Sequence, residues 1–273
     1  IRKQEWIQAG QGEGWFNSYY DNHGQAVEGI REDQVRMMLT GQVFAIMGKV
    51  AEAPQIRSII KSADHYLYEK EIGGYRLNTD FHELKFDLGR MFGFAYGEKE
   101  NGAVFSHMAV MYGNALYRRG YAKEGWKVLK SLSDTALDFD TSRIYPGIPE
   151  YFRSDGRGMY HYLTGAASWY MLTMVTQVFG VRGEGGDLII APKLLAEQFD
   201  SQGKASIQIS FANKTLEVIF ENTDRKDYGD YTLASAVCEG RELPVADGSY
   251  GVLSRKVLDD LGDGIHSVTI KLI

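Results

Sequence analysis

The chain is poor in cysteine: Cys238 stands alone in 273 residues. That excludes an intramolecular disulfide and fits a reducing, cytoplasmic setting. It also lacks a concentrated basic stripe. With a formal net charge of −6 and a pI near 5.6, nucleic acid and membrane surfaces are not expected partners. No apolar run approaches the ~20 residues of a membrane-spanning helix. The opening residues, Ile1-Arg2-Lys3-Gln4-Glu5, are charged and polar, so no secretory leader is expected. Histidines do not pair with a second histidine or cysteine at ligand spacing. His82, with Asp80 and Glu83 nearby, comes closest, and no metal site is expected.

Two periodicities divide what is present. Residues 31–180 carry helical spacing. Val35, Met38, Leu39, Val43, Ile46 and Val50 mark one helix, stopped before Pro54, and Ile56, Ile59, Ile60, Ala63 and Leu67 mark the next. Phe105, Met108, Ala109, Tyr112 and Leu116 form a third stripe, and Ala122 to Leu132 a fourth. Residues 138–158, punctuated by Pro146, Gly147, Pro149, Gly156 and Gly158, read as a long loop, a feature more often functional than idle. A fifth stripe runs Leu163, Ala167, Tyr170, Met171, Met174, Val175 and Val178, ending near Gly180. Gly180 and Gly185-Gly186 read as a helix stop, since no Gly-Lys-Ser/Thr follows to make a phosphate loop. Beyond them the period falls to two. Ala205, Ile207, Ile209 and Phe211 alternate, then Leu216, Val218 and Phe220 across a turn at Asn213-Lys214, and finally Val268, Ile270 and Leu272.

Two helix entrances carry chemistry. In Tyr162-Leu163-Thr164-Gly165 a threonine stands at the N-cap position with glycine as the first helical residue. A helix start offers unpaired N–H groups and the positive end of the macrodipole, which suits phosphate or another oxyanion. A threonine there also serves simply as a cap. In Lys99-Glu100-Asn101-Gly102 through His107, Asn101 is the candidate cap, placing His107 in the first two turns. A protonated histidine donates to phosphate from either ring nitrogen. Equally, a solvated Lys-Glu pair and a histidine bonded to a carbonyl would leave the same pattern. Arg157 and His161 precede the threonine and are candidates to line the same pocket. Trp15 and Phe16 read first as core.

These segments, with Gly14-Trp15-Phe16, Tyr20-Asp21, Trp169, and Phe179-Gly180-Val181-Arg182 followed by Asp187-Leu188 and Pro192, resemble the C-terminal part of the family 94 glycoside phosphorylases. That group includes cellobiose, laminaribiose and chitobiose phosphorylases and 1,2-β-oligoglucan phosphorylases. The resemblance runs from about residue 14 to about residue 221 and lies in the ordered combination of motifs. Tyr145-Pro146-Gly147-Ile148-Pro149-Glu150-Tyr151 and Gly156-Arg157-Gly158 depart from the cellobiose phosphorylase pattern towards members acting on β-1,3- or β-1,2-linked glucosides.

The resemblance implies a mainly α chain followed by β. Residues 1–184 would be the C-terminal hairpins of an (α/α)6 catalytic barrel, and residues 185–273 a small antiparallel β-sandwich or jelly-roll-like domain. The helices recognisable here make about half of such a ring. Leaving its inner faces open would forfeit about 25 cal/mol for each Å², so the chain is expected to be joined to an N-terminal portion. The implied reaction is reversible, inverting phosphorolysis of a β-linked disaccharide or oligosaccharide to α-glucose 1-phosphate and a shortened sugar. Inorganic phosphate is the co-substrate, no cofactor is needed, and a cytoplasmic homodimer is expected. His107, Thr164 and Gly165 match phosphate-binding positions; Lys99 and Glu100 match positions facing the leaving-group sugar. The general acid of the family lies in an upstream motif not found here. Asp21, Asp80, Asp87 and Glu100 do not sit in its context, so the catalytic acid is unassigned. Two other outcomes stay open: the phosphorylase-like end of a cyclic β-glucan synthase or a hydrolase on the same barrel, and a non-catalytic carbohydrate-binding fragment. An inverting hydrolase would need two carboxylates.

Overall fold

The computed structural model describes residues 1–273 other than 33, 146 and 163. Pro146 of the long loop and Leu163 at the head of the fifth stripe therefore lie outside the described residues. The chain divides into two compact units, Ile1–Met171 and Leu172–Ile273.

In the first unit two short antiparallel ribbons precede the helices. These are β1 (Trp6–Gln8) with β2 (Gly14–Phe16), and β3 (Gly29–Arg31) with β4 (Gln34–Arg36). Helix α1 (Leu39–Met47) starts later than Val35, where the stripe begins, because Val35 pairs with Ile30 across the second ribbon. Pro54 sits in the first turn of α2 (Ala53–Tyr66), where a missing N–H costs nothing. After the ribbon β5 (Tyr68–Glu69) and β6 (Gly74–Tyr75), and a 3₁₀ segment at Phe86–Gly93, strand β7 (Val104–Phe105) leads into α3 (Ser106–Arg118). Helix α4 (Ala122–Leu137) turns back against α3. Trp15, Met37, Leu39, Ile46, Ile56, Ile59, Tyr112 and Leu116 are fully buried between these helices and β2. Trp15 and Phe16 are thus core. Truncating any of the aliphatic members to alanine should cost ~2–5 kcal/mol.

The long loop is more structured than its composition suggests. It holds α5 (Phe139–Ser142), β8 (Tyr151–Phe152) and β9 (Gly158–Met159), and β7–β8–β9 form a three-stranded sheet. Strands of two residues are too short to show alternation. Helix α6 (Gly165–Thr173) follows and runs into a π-turn at Met174–Val178.

The second unit opens with β10 (Val181–Glu184) and β11 (Asp187–Ile190). Gly185-Gly186 is the turn of this hairpin, with φ of 61° and 96°, and Gly180 alone closes the preceding helical segment. Two glycines between alternating strands make a hairpin turn with positive φ at both positions. Strands β12 (Lys204–Phe211) and β13 (Lys214–Glu221) form a second hairpin around Ala212-Asn213, one residue earlier than the turn read from sequence. Next come β14 (Leu233–Cys238), β15 (Arg241–Glu242), β16 (Val245–Ala246), β17 (Tyr250–Leu253), α7 (Arg255–Asp260) and β18 (Ile265–Leu272). The sheets run β10-β11-β17-β16 and β12-β13-β18-β14-β15. One pairing departs from the antiparallel expectation: β13 and β18 run parallel, Val218 opposite Val268. A parallel pair needs a long crossover, and residues 222–264 supply it.

One buried acid ties the first unit together. Glu28 is 4% exposed. Ser18 donates to its Oε1 through both N (2.9 Å) and Oγ, and Met38 N donates to Oε2 at 2.7 Å. Gln42 Nε2 approaches Oε2 at 3.4 Å. These groups, with Asn17, face it, and all are uncharged. Burial without a cation pushes its carboxyl up from 4.5 to about 7, against the opposing pull of those hydrogen bonds. The folded chain therefore holds this proton more tightly than the unfolded chain. The resulting stabilisation is complete below pH 4.5 and is lost as pH rises through 7. Wild-type protein should lose about 3 kcal/mol more stability than Glu28→Gln between pH 4.5 and about pH 8, measured by urea unfolding. Parallel stability profiles for the two proteins would exclude this linkage.

Candidate functional site

The starts of α3 and α6 meet. Ala166 N donates to Thr164 Oγ1 at 3.2 Å, so the threonine caps α6 through its side chain. Helix α3 begins at Ser106, whose N–H donates to Glu150 O at 2.9 Å, and His107 is its second residue. A Cβ built on Gly165 would lie 2.5 Å from His107 Cε1 and 2.6 Å from Nδ1. Only glycine allows the imidazole to lie against that backbone. His107 Nε2 is buried and has no hydrogen-bond partner among the described residues, and neither has Ser106 Oγ. The Trp169 ring stands 6.0 Å away at an interplanar angle of 47°. Burial holds the His107 pKa below its ordinary value, favouring the neutral ring. An unpaired imidazole nitrogen, a capping hydroxyl and a helix start thus share one place. An anion there would satisfy the nitrogen and favour its protonated form.

The Lys99–Gly102 segment forms a second cluster. Asn101 does not cap α3, as the sequence reading expected; the cap position is Phe105. Asn101 instead donates to Phe94 O at 2.9 Å and accepts from Asn78 Nδ2 at 3.2 Å, while Asn78 Oδ1 accepts from Gly102 N at 2.8 Å. Satisfying a buried loop took precedence over capping, and strand β7 intervenes before the helix. Gly102 has φ of 72°, and any Cβ there would run into the Tyr96 ring. Glu98 fastens the segment to β8, accepting from Tyr151 OH at 3.0 Å and pairing with Arg153 at 3.2 Å.

Glu100 lines a cavity of about 320 Å³ whose other polar walls include Asn78, Thr40 and Tyr19, amid methionines and Leu77, Leu88 and Phe105. Its Oε1 meets Arg90 Nε at 3.1 Å, whereas Oε2 is buried without a partner among the described residues. The wall includes Phe105 and Met108, which bracket Ser106 and His107 in the chain. Asn78 reaches this wall because residues 77–79 run beside 37–39, Leu39 N donating to Leu77 O at 2.7 Å and Thr79 N to Met37 O at 3.0 Å. Lys99 holds φ of 47° and sets its ammonium 4.5 Å from the Tyr160 ring centroid and 5.3 Å from that of Phe94. The hydrogen bond to Tyr160 holds its pKa above the ordinary lysine value. Carboxylate and amide oxygens beside apolar walls suit a hydroxylated ligand.

Other candidates lie elsewhere. Arg157 and His161 are exposed. Asp21 accepts from the N–H groups of Gln25 and His23, each at 2.9 Å, and these bonds hold its carboxyl below the ordinary range, the opposite of what a general acid needs. Asp80 accepts from His82 N at 2.8 Å, and Asp87 is exposed. Asn78, Tyr19, Arg90 and Tyr160 were not singled out from the sequence. Tyr19 had a signal there as the neighbour of the Tyr20-Asp21 motif, and Tyr160 as the residue before His161 in the stretch leading to Thr164-Gly165.

Comparison with known proteins places this geometry in context. The sequence profile described as "Glycosyl hydrolase 94 superfamily, catalytic domain" matches residues 1–180. Cellobionic acid phosphorylase of Neurospora crassa is 28% identical over 62% of this chain and 23% of its own length. Solabiose phosphorylase of Paenibacillus borealis is 23% identical over 100% of this chain and 34% of its own length. N,N′-diacetylchitobiose phosphorylase of Vibrio proteolyticus is 23% identical over 86% and 30% respectively. The chain therefore spans between 23% and 34% of the length of these curated relatives.

The imidazole contact is directly testable. Gly165→Ala should push the His107 ring off the backbone and move its pKa, followed by proton-detected NMR titration, towards the ordinary ~6.5. In the unsubstituted protein, added sulfate should raise the same pKa. A ring that titrates identically in both proteins, with and without sulfate, would refute the assignment.

Proposed function

Because the chain belongs to the glycosyl hydrolase 94 superfamily, we propose that it supplies the phosphate-holding part of the site of a glycoside phosphorylase. The observation that carries this reading is the His107 ring lying against the start of α6 at Gly165, its Nε2 buried and without a hydrogen-bond partner among the described residues. The reaction is reversible, inverting phosphorolysis of a β-linked glucoside, yielding α-glucose 1-phosphate and a sugar one unit shorter.

In that reaction a phosphate oxygen attacks the anomeric carbon as the glycosidic C–O bond breaks. The departing sugar oxygen takes a proton from a general acid, which we assign to a part of the protein outside these 273 residues. His107, the Thr164 hydroxyl and the Gly165 N–H hold the phosphate. Preorganised donors of this kind keep a dianion in place beside a developing oxocarbenium ion without reorganisation during the reaction. Phosphate is itself the nucleophile, so no second carboxylate is required to activate water. Lys99 and Glu100 bind hydroxyls of the leaving-group sugar, Glu100 from the wall of the 320 Å³ cavity. The helices of residues 1–184 form part of an (α/α)6 ring that the rest of the protein completes. The enzyme acts as a cytoplasmic homodimer.

Steady-state kinetics on the full-length protein test the reading. His107→Ala and Thr164→Ala each remove one or two charge-assisted donors, worth about 1.5–3 kcal/mol. KM for phosphate should rise about tenfold to a hundredfold, with KM for the disaccharide changed far less. Unchanged phosphate saturation, or equal sugar release when phosphate is omitted, would overturn it.

A further inference from the structure

The second unit contains a cavity that the reaction above does not use. It has a volume of about 420 Å³, within the ~300–1,000 Å³ typical of small-molecule sites. Its walls come from the 191–193 segment after β11, the 228–233 segment entering β14, and the turn between β16 and β17.

Those walls are braced from behind. Tyr231 OH donates to Pro192 O at 3.1 Å and accepts from Leu194 N at 2.9 Å, while Tyr228 N donates to Leu194 O at 3.0 Å. The Tyr228 and Tyr231 rings stand edge to face, 6.2 Å apart at 72°. Opposite them, Leu233 N donates to Gly248 O at 2.8 Å, which fixes the Asp247-Gly248 turn. That turn takes φ of 47° and 63°, the conformation that Asp-Gly and Asn-Gly adopt most readily between antiparallel strands. Tyr250 follows, with 37% of its surface exposed.

The groups left unengaged define the ligand. Among the described residues, the Asp247 carboxylate and the hydroxyls of Tyr228, Tyr250 and Thr232 have no hydrogen-bond or ionic partner. Lys193, in the same wall, is engaged at Gln177 Oε1, 3.3 Å away. Hydroxyls that donate or accept, a carboxylate that accepts from paired O–H groups, and tyrosine rings that cover C–H surface complement a neutral polyhydroxylated ring. The carboxylate disfavours phosphate and other anions in the same space.

We propose that this cavity is a saccharide-binding site of the second unit, formed by Asp247, Tyr250, Tyr228 and the braced Tyr231, taking a neutral pyranosyl segment of a glycan. It is separate from the residues assigned to phosphate and the leaving-group sugar. Its occupation would add to the binding of longer saccharides and leave the turnover of a disaccharide unchanged.

The test uses the full-length protein with β-1,2-, β-1,3- and β-1,4-linked glucotetraoses, followed by saturation-transfer NMR and calorimetry. At least one should bind with Kd of about 1 mM, a value consistent with one small exposed site. Asp247→Asn keeps the turn, since Asn-Gly is as suitable as Asp-Gly, and Tyr250→Ala removes an exposed ring. Each should weaken that binding about tenfold while leaving disaccharide turnover at saturation unchanged. His107→Ala should leave the tetraose affinity unchanged here, even if it abolishes phosphate dependence, so this inference and the proposed function fail separately. The inference is overturned if no tetraose binds saturably, if binding survives both substitutions in the second unit, or if it disappears in His107→Ala. Displacement of the tetraose by choline at the same Asp247-dependent site would likewise overturn it, by assigning the tyrosines and carboxylate to an organic cation.

Discussion

The absence of a side chain at Gly165 is the constraint on which the site depends. The first turn of one helix must come within contact of an imidazole on the first turn of another, and a single methyl group there would prevent it. With the two helix starts this close, neither the ring nitrogen nor the Ser106 hydroxyl has a hydrogen-bond partner among the described residues. Burying such groups without bonds is unfavourable by about 1–3 kcal/mol each. An oxyanion accepting from these groups, as proposed above, would remove that cost.

The walls around this point are held by buried polar groups that are almost fully satisfied. Glu28 fastens the 17–28 segment to the start of α1 through Ser18 and Met38. Asn78 and Asn101 do the same for the 94–103 segment. Both networks support residues of the Glu100 cavity, Tyr19 and Met38 in one case and Asn78 in the other. Irregular chain at a site is usually mobile. Here the turns are tied by side-chain amides or a carboxylate, and near the site Glu100 Oε2, His107 Nε2 and Ser106 Oγ have no hydrogen-bond partner among the described residues.

The second unit shows the same economy in a different architecture. Leu216, Val218 and Phe220 of β13 and Val268 and Ile270 of β18 are fully buried, and a parallel pairing between these strands forms the centre of the larger sheet. Its cavity is bounded by loops and a hairpin turn, where the Tyr231 hydroxyl braces the backbone and those of Tyr228 and Tyr250 have no partner among the described residues.

Much of this was legible in the order of residues. The helical stripes of α2, α3 and α4, the change to alternation after Gly180, the Thr164 cap and the identity of the family could be read directly, because each depends on neighbours a few positions apart or on motifs in fixed order. Other features depend on residues distant in sequence. Val35 was drawn into a ribbon by Ile30, Asn101 was claimed by Asn78 and Phe94 and not by a helix end, and β13 found a parallel partner nearly fifty residues later. The approach of His107 to Gly165, the depth of Glu28 and the clustering of three tyrosines beside Asp247 likewise follow from packing alone. The sequence by itself determined which residues are candidates for the chemistry and which local elements most of them enter, through short-range periodicity, capping and motif order. Tertiary structure decided which of those groups lie side by side and which are left without a hydrogen-bond partner, since burial and long-range pairing are properties of the packed chain.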